Sequence, residues 1–117
     1  MKSENKSIIY EKSYSFSRRI IKVYKFLYAK KEYVLSKQLL RSGTSIGANI
    51  TEANYSISKK EFRNKMSIAL KEAVESRYWI NLLKDENYIT LKQFNSLIND
   101  LEEIIKILVK VVKNAEK

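Results

Sequence analysis

Glu72 and Glu75 stand three residues apart, so on a helix both carboxylates project from one face. With Glu52 from a second helix they could form a carboxylate cluster, the raw material of a di-metal site in a ferritin-like bundle. Such sites add a Glu-x-x-His element, and this chain has no histidine. The plainer alternative is that these glutamates pair with Arg41, Arg63 or Arg77, which lowers the cost of partly burying a carboxylate. Ser42, Thr44 and Ser45 bring hydroxyls together, but no imidazole is present to activate one and no strand precedes them. Gly43 and Gly47 do not make a phosphate loop, because the Gly-Lys-Ser/Thr ending is missing. Cysteine is absent too, which excludes disulfides, thiolate chemistry and zinc sites built on Cys or His. The residue types point away from catalysis, and no cofactor, metal or small-molecule substrate is expected.

The elements that carry these residues are legible in the apolar periodicity. Of 117 residues 44% are hydrophobic, enough for the core of one domain spanning 1–117. Proline is absent and glycine occurs only twice, which favours long uninterrupted helices. Ile9, Phe16, Ile20, Val23 and Leu27 make one helical stripe, predicting a helix over 7–31. Leu39, Gly43, Ile46, Ile50 and Ala53 do the same over 34–55; their unbroken phase favours one continuous helix over a loop at 42–45. Ser58 and Glu61 form a capping box before the stripe Phe62, Met66, Ala69, Ala73, Ile80 and Leu83, predicting a helix over 59–84. Thr90 and Gln93 form another before Phe94, Leu97, Ile98, Leu101, Ile105, Leu108 and Val112, predicting 91–114. Four helices with short connections predict an all-α, up-down antiparallel four-helix bundle.

Three surface features remain. Gly43 and Gly47, four apart with small neighbours, allow another helix backbone to approach closely. Ser42, Ser45, Asn49 and Glu52 form a polar stripe at helical spacing, read either as a water-facing strip or as a buried hydrogen-bonded network. Tyr10, Tyr14, Ile21, Tyr24 and Tyr28 make a second apolar-aromatic strip on the first helix. It widens the apolar arc beyond one bundle seam, so either that helix sits deep in the bundle or the strip meets another subunit.

The charge balance concerns partners. Lys and Arg number 23 against 13 Asp and Glu, a net charge of +10. Such an excess favours nucleic acid, an acidic protein or an anionic membrane surface. Residues 1–33 carry nine positive and three negative side chains, whereas 86–117 carry five of each. Lys12, Arg18, Arg19, Lys22 and Lys25 share the side of the first helix away from its apolar stripe, and they are the candidate nucleic-acid-binding residues. No stretch approaches the roughly 18 apolar residues of a membrane span. The stretch Met1–Ser7 lacks the apolar segment of a secretory signal, so the expected location is cytoplasmic with no membrane partner.

A longer pattern runs from Leu35 to Leu83. It comprises Ser36-Lys37-Gln38-Leu39-Leu40-Arg41-Ser42-Gly43-Thr44-Ser45-Ile46-Gly47-Ala48-Asn49-Ile50-Thr51-Glu52-Ala53, then Ser58-Lys59-Lys60-Glu61-Phe62, Ala69-Leu70-Lys71-Glu72-Ala73 and Tyr78-Trp79. This resembles the bacterial four helix bundle proteins, also called 23S rRNA intervening-sequence proteins. A related branch is the accessory variability protein of diversity-generating retroelements, which partners a reverse transcriptase and binds RNA or DNA through a basic surface. The resemblance implies a bundle that assembles as a ring-shaped homopentamer, with the second strip of the first helix as subunit contact. It implies no catalytic residues. Arg41, Ser42, Ser45, Asn49, Glu52 and Glu72 match the pattern and, with Glu75, are read as an interhelical or intersubunit polar network. Expected partners are further copies of the chain, RNA or DNA, and a reverse transcriptase.

Overall fold

The computed structural model describes residues 4–115, with side chains from 8 onward. Four helices follow one another: α1 (Glu4–Ala29), α2 (Leu35–Ala53), α3 (Lys59–Asp85) and α4 (Leu91–Ala115). A helix of 27 residues, such as α3, is about 40 Å long. The molecule measures 44 × 21 × 19 Å, so the helices lie along its long axis, and connections of 30–34, 54–58 and 86–90 make consecutive helices antiparallel. Each helix packs against its neighbours in sequence, and α1 against α4 closes the ring with the thinnest contact of the four seams. No strand occurs among the described residues. The expected ends differ by at most three residues: α1 starts earlier and stops at Ala29, and α2 is shorter at both ends.

The core comes from the predicted stripes. Ile9, Phe16, Ile20 and Leu27 of α1 meet Leu39, Ile46 and Ile50 of α2, Met66, Ile80 and Leu83 of α3, and Leu101, Ile104 and Leu108 of α4. Val23, Phe62, Phe94, Ile98 and Val112 are half-buried at its margin. Helix α2 runs unbroken through 42–45. Gly43 lies against α1: a Cβ there would sit 2.9 Å from Ile20 Cγ1 and 3.0 Å from Cγ2. Gly47 is looser, with a Cβ position 3.4 Å from Ser13 Oγ and 3.5 Å from the Ser13 carbonyl oxygen.

The helix ends use more devices than the capping boxes. Thr90 and Gln93 cap reciprocally: Thr90 Oγ1 accepts from the Gln93 N–H at 3.1 Å, and Gln93 Oε1 accepts from the Thr90 N–H at 2.8 Å. At α3, Ser58 Oγ accepts from the Glu61 N–H at 3.0 Å, but Glu61 accepts from the N–H of Ile57 rather than of Ser58. The expected box is thus displaced by one residue on its return arm. Helix α2 starts behind Val34, whose side chain makes no cap. Glu32 does the capping instead, with Oε2 accepting from the N–H groups of Val34 and Leu35 and Oε1 from Ser36 at 2.6 Å. Burial pushes the Glu32 carboxyl up, but the three N–H donors together outweigh it and hold its pKa below the ordinary value. Lys31 and Asn87, at φ 68° and 64°, close α1 and α3 in the left-handed region. Crossed bonds from Glu32 N to Leu27 O and from Tyr88 N to Leu83 O complete two Schellman motifs without glycine.

Candidate nucleic-acid interface

The polar residues expected to cooperate on α2 divide among several tasks. Arg41 donates to Glu72 at 3.3 Å and also to Glu75, which in turn accepts from the Trp79 indole N–H at 2.9 Å. Ser42 is fully buried and accepts at 2.9 Å from Ser76 of α3, a partner the sequence reading missed. Ser45 donates to the Arg41 carbonyl and Asn49 to the Ser45 carbonyl, so within the chain both bond inside α2 and not across to another helix. Glu52 lies at the surface with Lys65 at 2.6 Å, a hydrogen bond that raises the Lys65 pKa. Glu52 therefore does not join Glu72 and Glu75. No group of three metal-ligating side chains forms among the described residues. The α2–α3 seam is a structural clamp of paired charges.

The second region is the outer side of α1 and its border with α4. Three acids of α4 are spent on cations of neighbouring helices. Glu103 takes Lys12 at 2.9 Å, and Asp100 takes Arg19 at 2.6 Å. Glu102 accepts from Arg77 at 3.0 and 3.1 Å. Arg19 also donates to the Ser96 carbonyl and hydroxyl, which fixes its guanidinium across the seam. Of the five expected phosphate contacts, Lys12 and Arg19 are thus tied to α4. Arg18, Lys22 and Lys25 are exposed and have no acidic partner among the described residues.

Beyond Arg19, toward the 86–90 connection, the α1–α4 seam opens into a groove of about 470 Å³. Val23, Phe26, Ile89 and Leu97 are its apolar lining, and Lys22 and Lys92 stand on opposite walls. No carboxylate lines it. Farther back along the seam, a second recess is lined by Glu11, Asp100 and Glu103 around Lys12, so the sign of the surface changes along it. Phe26 and Lys92 escaped the sequence reading because their proximity depends on two helices far apart in the chain.

The model of the 23S rRNA-intervening sequence protein family matches residues 5–110. The chain belongs to this family. A crystal structure from Bacteroides thetaiotaomicron, of a protein with unknown function from the S23 ribosomal protein family, is 50% identical. It covers 93% of this chain and 98% of its own, with a TM-score of 0.92. No curated protein matches the chain. The matched span takes in α2 and α3 whole and nearly all of α1 and α4. Among the described residues, no helix of this intervening-sequence family member is long and apolar enough to cross a membrane. The stretch Met1–Ser7 lies outside the residues whose side chains are described.

Proposed function

We propose that this chain is a non-enzymatic, oligomeric bundle of the cytoplasm whose cation-rich side binds the backbone of RNA or DNA, as an accessory of a ribonucleoprotein. The observation that carries this reading is the uncompensated charge. The acids of α4 neutralise Lys12, Arg19 and Arg77, leaving Arg18, Lys22 and Lys25 together on one side of α1 and Lys92 beside them on α4. Lysine and arginine without protein partners are suited to displacing counterions from phosphates. The family name supports the reading through its tie to ribosomal RNA genes.

Self-assembly is part of the proposal. Tyr10, Tyr14, Ile21 and Tyr28 remain exposed along the side of α1 next to α2, with Tyr10 and Tyr14 stacked at 6.2 Å. An aromatic strip of this kind suits a subunit contact, and the family resemblance supplies the number five. Light scattering at micromolar concentration is expected to report a mass near five chains, and a mass of 13.8 kDa refutes assembly. Binding is tested by titrating single- and double-stranded RNA and DNA at two salt concentrations. Replacing Arg18, Lys22 and Lys25 by glutamine is expected to weaken all sequences alike and flatten the salt slope by up to about 3 units. Wild-type binding by that variant refutes the interface. Absence of any binding at low salt favours an adaptor for a protein partner such as a reverse transcriptase.

A further inference from the structure

Duplex and single strand differ in what they offer a protein besides phosphate: only an unstacked base presents a free aromatic face. A surface that reads backbone alone needs cations. A surface that takes a single strand needs unpaired cations beside an exposed ring, with no carboxylate in its own lining. The groove between α1 and α4 meets that description. Its floor is Ile89 and Leu97, both nearly sealed, and Phe26 on its wall keeps 38% of its surface exposed. Lys22 from α1 and Lys92 from α4 flank it, and neither has an acidic partner among the described residues. Gln93 is held in place because its Oε1 accepts from the Thr90 N–H, which leaves its amide NH₂ free to donate. Arg19 is fixed at the inner end by Ser96 and Asp100. A volume of about 470 Å³ lies in the range of small-ligand sites, roughly 300–1,000 Å³.

We propose that the α1–α4 groove is a single-strand site that takes one nucleotide, its base against Phe26 and Val23 and its phosphates between Lys22 and Lys92. This deepens the nucleic-acid reading and rests on it. It differs from that reading in selectivity: the outer lysines and arginine of α1 serve any phosphate backbone, whereas the groove favours single strands over duplex. Lys30, outside the groove lining, already lies 4.5 Å over one face of the Phe26 ring, so the base takes the ring surface that Lys30 leaves open.

The test is fluorescence anisotropy with a labelled uridine oligonucleotide and a duplex of equal length at low salt, using the assembled wild-type protein, Phe26→Leu and Lys92→Gln. Phe26→Leu keeps an apolar side chain at a half-exposed position, so the fold is expected to persist, as circular dichroism will verify. It is expected to lower single-strand affinity about 5- to 100-fold, leaving the duplex affinity and the salt slope unchanged. Lys92→Gln is expected to weaken both ligands and reduce the slope by about 0.7–0.9. Phe26→Tyr, which retains a ring, is expected to bind like wild type. Ultraviolet crosslinking of a 5-bromouracil strand to the wild-type protein, mapped by mass spectrometry, gives a readout that needs no variant; adducts are expected within 19–26 or 89–97. If Phe26→Leu binds single strands as well as wild type, or the adducts lie elsewhere, the groove is not the site while the backbone interface of α1 stands. If wild type binds neither ligand, the underlying reading falls with it.

Discussion

Gly43 and Gly47 look alike in the sequence, yet alanine at the two sites should move stability in opposite directions. Neither glycine has positive φ, so both backbones accept an L side chain without strain. Relieving a helix-interior glycine gains about 0.5–1 kcal/mol at either site. At Gly47 the new Cβ finds Ser13 Oγ at 3.4 Å and Ser17 Oγ at 3.5 Å, ordinary contact distances, so the gain is kept. At Gly43 it finds three Ile20 carbons at 2.9, 3.0 and 3.3 Å. Ile20 is fully buried, and its branched Cβ leaves little rotamer freedom within a helix. Overpacking of this kind costs about 1–3 kcal/mol. Gly43→Ala is therefore expected to be destabilised by up to about 2 kcal/mol, and Gly47→Ala stabilised by about 0.5–1 kcal/mol. Urea unfolding at fixed protein concentration resolves this as opposite displacements of the midpoint with an unchanged slope. If Gly43→Ala proves as stable as Gly47→Ala, α1 and α2 are not in the close contact described.

Other consequences are equally open to measurement. Glu32, with its depressed pKa, stabilises the fold above its unfolded value near 4.5, and this contribution disappears as pH falls through the folded value. Glu32→Gln should cost about 0.5–2 kcal/mol at pH 7, and the difference in melting temperature from wild type should shrink between pH 5 and 3 (roughly the window of carboxylate titration). Lys31→Gly relieves a left-handed residue and should stabilise by about 1 kcal/mol, read as a rise of a few degrees in melting temperature. Gly47→Leu overfills the narrow space by Ser13 and Ser17 and should cost about 1–3 kcal/mol, in contrast to the gain from alanine at the same site.

The helices could be read from sequence because each buries one stripe, and a stripe repeats with the helix period. Ile9, Phe16, Ile20 and Leu27 follow that rule, as do Leu97, Leu101 and Leu108. The start of α2 could not be read in this way. Its cap is Glu32, outside any local capping signature, and it meets the N–H groups of Val34, Leu35 and Ser36 just after Lys31 turns the chain through the left-handed region. The basic side of α1 was legible as composition but not as electrostatics. Which of its cations are free depends on Asp100 and Glu103, which lie 81 and 91 residues away from Arg19 and Lys12. The polar stripe on α2 was visible too, while its division between Ser76, Arg41 and bonds within the helix follows from packing against α3.

The α1–α4 seam is joined by charges across those long separations, whereas α2 and α3 are neighbours in the chain. Loop-closure entropy makes such distant pairings the most demanding to form, so the α2–α3 hairpin has every kinetic advantage and α1 meeting α4 completes the fold. Much of what holds that last seam is ionic and partly exposed, and salt screens such pairs. Ionic strength therefore acts on this protein as a latch. Raising it should speed hydrogen exchange most along the facing sides of α1 and α4, where packing is thinnest; the ion pairs between α2 and α3 are screened as well, but that seam has far more packing beneath them.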